Sequence, residues 1–269
     1  MSRKWEILQN HLHHFLKDGV ERTGLKSAVV GLSGGLDSAV VSVLLQQVFG
    51  GKFLAVSMPT QYSSESSLKD AKELVEKFGM RWEIVEVGKY IETFQKVNSD
   101  FSPLRMGNFS ARIRMATLYD ISARESGLVI GTSNKSEILL GYGTLFGDLA
   151  SAINPIGDIY KTDLFEFADY LGVPKSIISK PPSADLFEGQ SDEKEIGYTY
   201  TEIDRVLKLY VEERKSLDEV AEIVGNRNLV EMLVKRIYSN HFKRKMPVIA
   251  KVTNRTFGHD FLYSREAEL

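Results

Sequence analysis

SAVVGLSGGLDSAVVSVLLQQVF, residues 27–49, decides the architecture. It opens with a short β-branched apolar run, passes through a glycine-rich turn and continues as an apolar segment of helical length. An apolar run without strict alternation suits a strand covered on both faces, and a strand that enters a helix through a tight turn begins a parallel βα unit. The pattern recurs downstream. FLAVSM at 53–58 precedes a helical stretch from Glu65 to Phe78, RWEIVEV at 81–87 precedes a long insertion and a helix from about Ala111, and GLVIGT follows at 127–132. This alternation predicts an α/β fold with a doubly wound, mostly parallel sheet and right-handed crossovers. Ligands of such sheets bind beyond the carboxyl ends of the strands, which directs attention to residues 31–38, 57–62 and 131–137.

Trp5, Leu8, Leu12, Phe15 and Leu16 recur at helical spacing, so residues 1–20 read as an amphipathic helix that packs on its own domain or on another subunit. Further helices are expected where Thr162 caps a segment ending at Gly172, where Ser216 and Glu219 precede one closed by Gly225, and where Asn228 and Glu231 repeat that arrangement. The expected organisation is a single domain over 1–269, with the α/β core at 21–180, a lid-like polar loop at 181–200 and additional C-terminal helices over 201–269.

Composition narrows the function classes. With 43% hydrophobic residues, the 269-residue chain has material for a full core. A formal charge of −2 gives no clustered basic excess for a nucleic-acid partner. The absence of cysteine excludes disulfides, Cys-based zinc sites, iron–sulfur clusters and thiol catalysis, and it fits a reducing compartment. The first 20 residues lack the apolar core of a secretory signal, and no run approaches the roughly 18 apolar residues of a spanning helix. A cytoplasmic protein without a membrane partner is expected.

Gly31-Leu32-Ser33-Gly34-Gly35-Leu36-Asp37-Ser38 carries the clearest chemistry. Glycines let backbone N–H groups turn toward an anion, the following helix start adds positive partial charge, and the Ser33 and Ser38 hydroxyls can donate to phosphate oxygens. Asp37 would repel phosphate unless a cation lies between, which points to Mg²⁺. The same string also suits a plain strand-to-helix turn with Asp37 as a cap. It lacks the ending of a P-loop and the spacing of a dinucleotide fingerprint.

GLSGGLDS resembles the pyrophosphate loop of the ATP pyrophosphatases, whose fold is a Rossmann-like adenine nucleotide hydrolase type and whose members split ATP between the α and β phosphates. Three further strings, GNFSARIRM at 107–115, GTSNKSEILLGYGTLFGD at 131–148 and KPPSADLFEGQSDEKEIGY at 180–198, resemble the NAD synthetases within that group. The resemblance covers nearly the whole chain. It implies ATP contacts from the 31–38 loop, Thr132, Lys161 and Ser183, where many relatives have threonine. It implies Mg²⁺ on Asp37 and Glu137, a catalytic trio of Asp37, Glu137 and Lys161, and substrate contacts from Arg112, Asp148 and Lys243. Arg112 and Arg114 lie too close in sequence to share a helical face, so one of them is expected at a ligand. Phe242 stands where the family commonly has histidine. Taken one at a time, each of these side chains also suits a surface charge or a helix cap.

The resemblance further implies ATP as co-substrate, deamido-NAD (nicotinic acid adenine dinucleotide) as acceptor and a homodimer. Ammonia is the expected nitrogen donor, because the chain has neither the length nor the cysteine of an appended amidase. An acyl-adenylate serves this chemistry, since hydroxide is a poor leaving group and AMP a far better one. Two other readings remain at this point: another ATP pyrophosphatase, such as a tRNA-modifying enzyme, and a non-catalytic adenine-nucleotide sensor.

Overall fold

The structure, a computed structural model, describes residues 2–98, 100, 102–182 and 192–256. Four strands, β1 (Ser27–Gly31), β2 (Phe53–Ser57), β3 (Arg81–Ile84) and β4 (Gly127–Ile130), form one parallel sheet in the order β3-β2-β1-β4. The helices in chain order are α1 (Ser2–Glu21), α2 (Leu36–Phe49), α3 (Glu65–Phe78), α4 (Gly88–Val97), α5 (Pro103–Glu125), α6 (Lys135–Leu140), α7 (Lys161–Leu171), α8 (Lys175–Ile178), α9 (Asp192–Ile196), α10 (Tyr200–Leu207), α11 (Leu217–Val224) and α12 (Arg227–Ser239).

The register matches Val30 of β1 with Ala55 of β2 on one side and with Ile130 of β4 on the other. The chain runs outward from β1 through β2 to β3, then returns to lay β4 against the free side of β1. Strand order therefore reverses between β1 and β4, and the crevice beyond their carboxyl ends is the place where open α/β sheets take a ligand.

Alternation along the strands builds two cores. Ala28, Val30, Phe53 and Ala55 pack against α1, α2, α3 and α7, whereas Val29, Leu54 and Val56 pack against Ile113, Leu118 and Ile121 of α5. Burial on both faces explains why these strands read as continuous apolar runs. The amphipathic stripe of α1 closes on its own domain: Leu12, Leu16 and Val20 are buried and the Trp5 ring stacks on Phe167 at 5.5 Å, although Phe15 stays 40% exposed. A third cluster, around Tyr200, Ile203, Val220 and Leu233, joins α10, α11 and α12 into the expected C-terminal helical part. No helix among the described residues is long and apolar enough to cross a membrane.

Several expected boundaries move. The helix expected from about Ala111 starts at Pro103, because Ser102 caps it by accepting from the Arg105 amide at 3.4 Å. Arg112 and Arg114 consequently sit in mid-helix. The third strand ends at Ile84 rather than Val87. Thr162 is not a cap; α7 begins at Lys161, and Tyr160 precedes it without a side-chain cap bond. Asn226, not Asn228, caps α12, and Glu231 pairs with Arg227 at 2.8 Å instead of closing a capping box. The Ser216–Glu219 box and its closing Gly225 are present as expected. The lid-like stretch contains α9, and its residues 183–191, Ser183 among them, lie outside the described residues.

Candidate active site

The 31–38 turn is held from behind by the sheet. The Leu32 amide donates to Val56 O at 2.8 Å, the Ser57 hydroxyl donates to Leu32 O at 2.7 Å, and the Trp82 indole N–H donates to Ser57 Oγ at 2.9 Å. Gly34 adopts φ +81°, and a Cβ there would fall 2.1 Å from Ser67 O of α3. Glycine is required at this position both for its backbone angle and for the close approach of α3. The Ser33 and Ser38 hydroxyls lie 3.0 Å apart, and Gly35 caps α2 with no side-chain bond. The plain-cap reading of Asp37 is therefore not what the structure holds.

Asp37 instead faces across the switch point. Its Oδ1 accepts from Asn134 Nδ2 at 2.8 Å, and its Oδ2 accepts from Lys161 Nζ. Lys161 Nζ also lies 3.7 Å from Glu137 Oε1. Asn134 and Glu137 cap α6 reciprocally, the Glu137 amide donating to Asn134 Oδ1 at 3.0 Å and the Asn134 amide to Glu137 Oε2 at 3.2 Å. Three side chains expected at the site, from α2, α6 and α7, thus converge on one point. Asn134 and Lys161, 0% and 3% exposed, are walled off from water.

Burial sets the electrostatics here. Desolvation, then the neighbouring Asp37 charge, push the Glu137 carboxyl up to about 8, although Lys161 pulls it down. Burial also works against the Lys161 ammonium, but Asp37 and Glu137 outweigh it and hold that pKa above the usual lysine range. The ammonium occupies the position of a cation between two carboxylates. Among the described residues no group of three or more Asp, Glu or His side chains gathers as a metal cage. Two carboxylates beside a phosphate loop suit Mg²⁺, which takes one or two protein carboxylates and completes its shell with phosphate oxygens and water.

The site opens into a cavity of about 890 Å³ lined by the turn, Thr132, Glu137, Asp148, Lys161 and Lys243. Asp148 accepts from the Thr144 amide at 2.8 Å, and burial raises its pKa. Lys243 Nζ donates to Gly141 O and Gly143 O, both at 2.8 Å, and Arg244 donates to Ile138 O and Leu139 O, so the basic run closes the carbonyl end of α6 as well as reaching the cavity. Arg114, not Arg112, lines the cavity and donates to Met58 O at 3.1 Å; Arg112 reaches Leu145 O at 3.1 Å. Lys180 is tied to Ser67 Oγ at 2.8 Å and Asp70 Oδ2 at 3.0 Å, fixing the start of the lid-like stretch.

Sequence reasoning passed over Asn134 and Asp192. Asn134 carried only a capping signal. Asp192 of α9 is buried at the cavity edge, accepting from the Tyr142 hydroxyl at 3.1 Å, and its one sequence signal was the acidic start of a short helix.

A glycine turn at the switch point of a parallel sheet, with its aspartate turned away from capping and toward a buried ammonium, defines a nucleotide-binding α/β protein whose charged groups gather at the mouth of the turn. Within that class the family is shown directly. The chain belongs to the NAD synthase family, whose model matches residues 8–247. It is 48% identical over 263 residues to an NH(3)-dependent NAD(+) synthetase from Chlorobium phaeobacteroides, covering 97% of this chain and 95% of that relative. Among solved structures, NMN synthetase from Francisella tularensis superposes with a TM-score of 0.80 at 32% identity, over 91% of this chain and 98% of that one. The NH3-dependent NAD synthetase from Campylobacter jejuni subsp. jejuni, in complex with the nitrate ion, gives a TM-score of 0.78 at 37% identity, over 92% of this chain and 99% of that one.

Proposed function

We propose that the chain makes NAD from deamido-NAD, ATP and ammonia, releasing AMP and pyrophosphate. The observation that carries this reading is the buried Lys161–Asp37–Glu137 cluster at the mouth of the glycine turn, in a chain of this family. A carboxylate oxygen of the acceptor attacks the α-phosphorus and pyrophosphate leaves. Ammonia then attacks the activated carbonyl, loses a proton and expels AMP.

The turn's amides and the Ser33 and Ser38 hydroxyls orient the phosphates, and Lys161 offsets charge as it develops on pyrophosphate. Asp37 and Glu137 would hold Mg²⁺, which when bound supplies further neutralisation of phosphate oxygens. Thr132 and Ser183 are assigned to ATP, and Asp148 and Lys243 to the acceptor, with Arg114 in place of the expected Arg112 as the arginine that faces the cavity. No covalent protein nucleophile takes part. Support for the acceptor's size comes from the cavity, whose 890 Å³ lies in the upper part of the range of about 300–1,000 Å³ for small-molecule sites. The reading includes a cytoplasmic homodimer; Leu104, large and exposed at the cavity lining, is a side chain that a second copy would cover.

Mass spectrometry with ATP, Mg²⁺ and ammonium, offering deamido-NAD, nicotinic acid mononucleotide or tRNA, tests the proposal. NAD, AMP and pyrophosphate are expected in equal amounts from deamido-NAD, with turnover falling to background when a chelator removes the metal. Product from the mononucleotide or tRNA alone, or ligand binding with no pyrophosphate release, overturns it.

A further inference from the structure

Asp204 is 1% exposed, yet it neither lines the cavity nor forms an ion pair within 4 Å among the described residues. Its partners explain why a charge is kept there. Oδ1 accepts from the Ser136 hydroxyl at 2.5 Å and Oδ2 accepts from the Thr162 amide at 2.9 Å. Ser136 Oγ in turn accepts from the Lys161 amide at 3.0 Å. The first two amides of α7 are therefore capped by side chains of α6 and α10, whereas the residue preceding α7 offers no cap of its own. Each contact falls beside a site residue: Ser136 precedes Glu137, and Thr162 follows Lys161.

We propose that Asp204 is a positioning residue that, together with Ser136, fixes the backbone from which Lys161 reaches Asp37 and Glu137. The inference rests on the amide-forming reading for its kinetic consequence but not for its geometry. A buried carboxylate accepting two charge-assisted hydrogen bonds holds its donors more tightly than neutral pairs do, and a helix start with a negative side chain at its amides is favoured by the dipole. Lys161 spans the distance to Asp37 with a flexible four-carbon stem. Without a fixed first turn the ammonium would sample positions away from the transferring phosphate, and displacement of about 1 Å in such a group costs about 100-fold in rate.

The test uses Asp204→Ala, which removes both acceptors, Asp204→Asn, which keeps one for Thr162 but none for the Ser136 hydroxyl, and Ser136→Ala, which removes the link with little change in volume. Expected are kcat losses of about 10–100-fold for Asp204→Ala, as for groups that orient metal ligands, with smaller losses for the other two. KM for ATP and for the dinucleotide should stay within about 3-fold, and ATP–pyrophosphate exchange should fall in parallel with kcat. In a Lys161→Ala background the Asp204→Asn change should cost less than about 2-fold, because groups acting through one another are not additive.

An unchanged kcat per folded molecule, or the same factor lost with and without Lys161, overturns the proposal. Should Asp204→Ala not fold, Asp204→Asn and Ser136→Ala carry the same comparison. A crystal structure of Asp204→Asn reads the geometry whatever the reaction is: Lys161 Nζ unmoved between Asp37 and Glu137 sinks the inference. A parent chain that yields no NAD strikes the reading of the reaction instead, and the crystallographic arm still decides on Asp204.

Discussion

Lys161→Ala is expected to lower kcat for NAD formation by about 1,000-fold, the upper part of the loss seen when one preorganised group facing developing charge is removed. The alanine leaves Asp37 and Glu137 facing each other with no cation between them. Breaking a buried cluster in this way costs about 3–5 kcal/mol when the remaining charge stays uncompensated.

Here Glu137 relieves part of that cost by binding a proton, since burial and the Asp37 charge already lift its carboxyl to about 8. The folded chain binds that proton more tightly than the unfolded one. Its contribution to stability is therefore fully present below the ordinary value of 4.5 and is lost as pH rises through about 8. Without Lys161 the pull downward disappears and the window extends to higher pH. Urea unfolding at about pH 6 and about pH 8.5 should show a larger drop in the variant than in the parent. A kcat within tenfold of the parent, or a pH dependence of stability no steeper than the parent's, refutes the assignment.

Gly34→Ala is expected to be nearly as damaging, through shape rather than charge. Its φ of +81° and a Cβ position 2.1 Å from Ser67 O leave no room for a methyl group unless the start of α3 or the turn itself shifts. The left-handed conformation alone costs a non-glycine residue about 1–2 kcal/mol, and displacing the turn misaims the amides proposed to orient phosphate. A loss of about 100-fold or more in kcat/KM for ATP is expected, with a melting temperature lowered by several degrees. Gly79→Ala separates the two causes. Gly79 has φ +63° with nothing within 4 Å of an added Cβ, so that variant should lose about 1 kcal/mol and keep its turnover. Equal kinetic damage from both substitutions would show that strain, not the close approach to α3, is responsible.

What the sequence disclosed and what it hid follow from distance along the chain. The strands were legible because burial on both faces leaves uninterrupted β-branched runs, and the glycine turn because backbone conformation constrains residue type locally. The convergence of Asp37 and Lys161, 124 positions apart, is a product of the strand order and appears in no local pattern. Asp204 was invisible for the same reason: an aspartate on an amphipathic helix reads as a solvated charge until the fold places two donors against it. The misplaced start of α7 has the same origin, since a helix capped from other helices needs no capping residue of its own. By contrast the start of α5 was available in Ser102-Pro103, a cap followed by a helix-compatible proline, and was obscured by the glycine and asparagine that follow. The choice between Arg112 and Arg114 depended on the rotation of a 23-residue helix, which spacing alone leaves open.

The hydrogen-bonded run from Leu32 through Ser57 to Trp82 also gives the glycine turn an optical reporter. The chain has two tryptophans, and the other, Trp5, is stacked on Phe167 at the N-terminal helix. Replacing Trp5 with phenylalanine would leave Trp82 as the sole indole, its N–H bound to the hydroxyl that grips the Leu32 carbonyl of the turn. Any movement of that carbonyl reorients the hydroxyl dipole beside the excited indole. Emission wavelength then follows the turn in real time, and nucleotide arrival can be timed in stopped flow without a label.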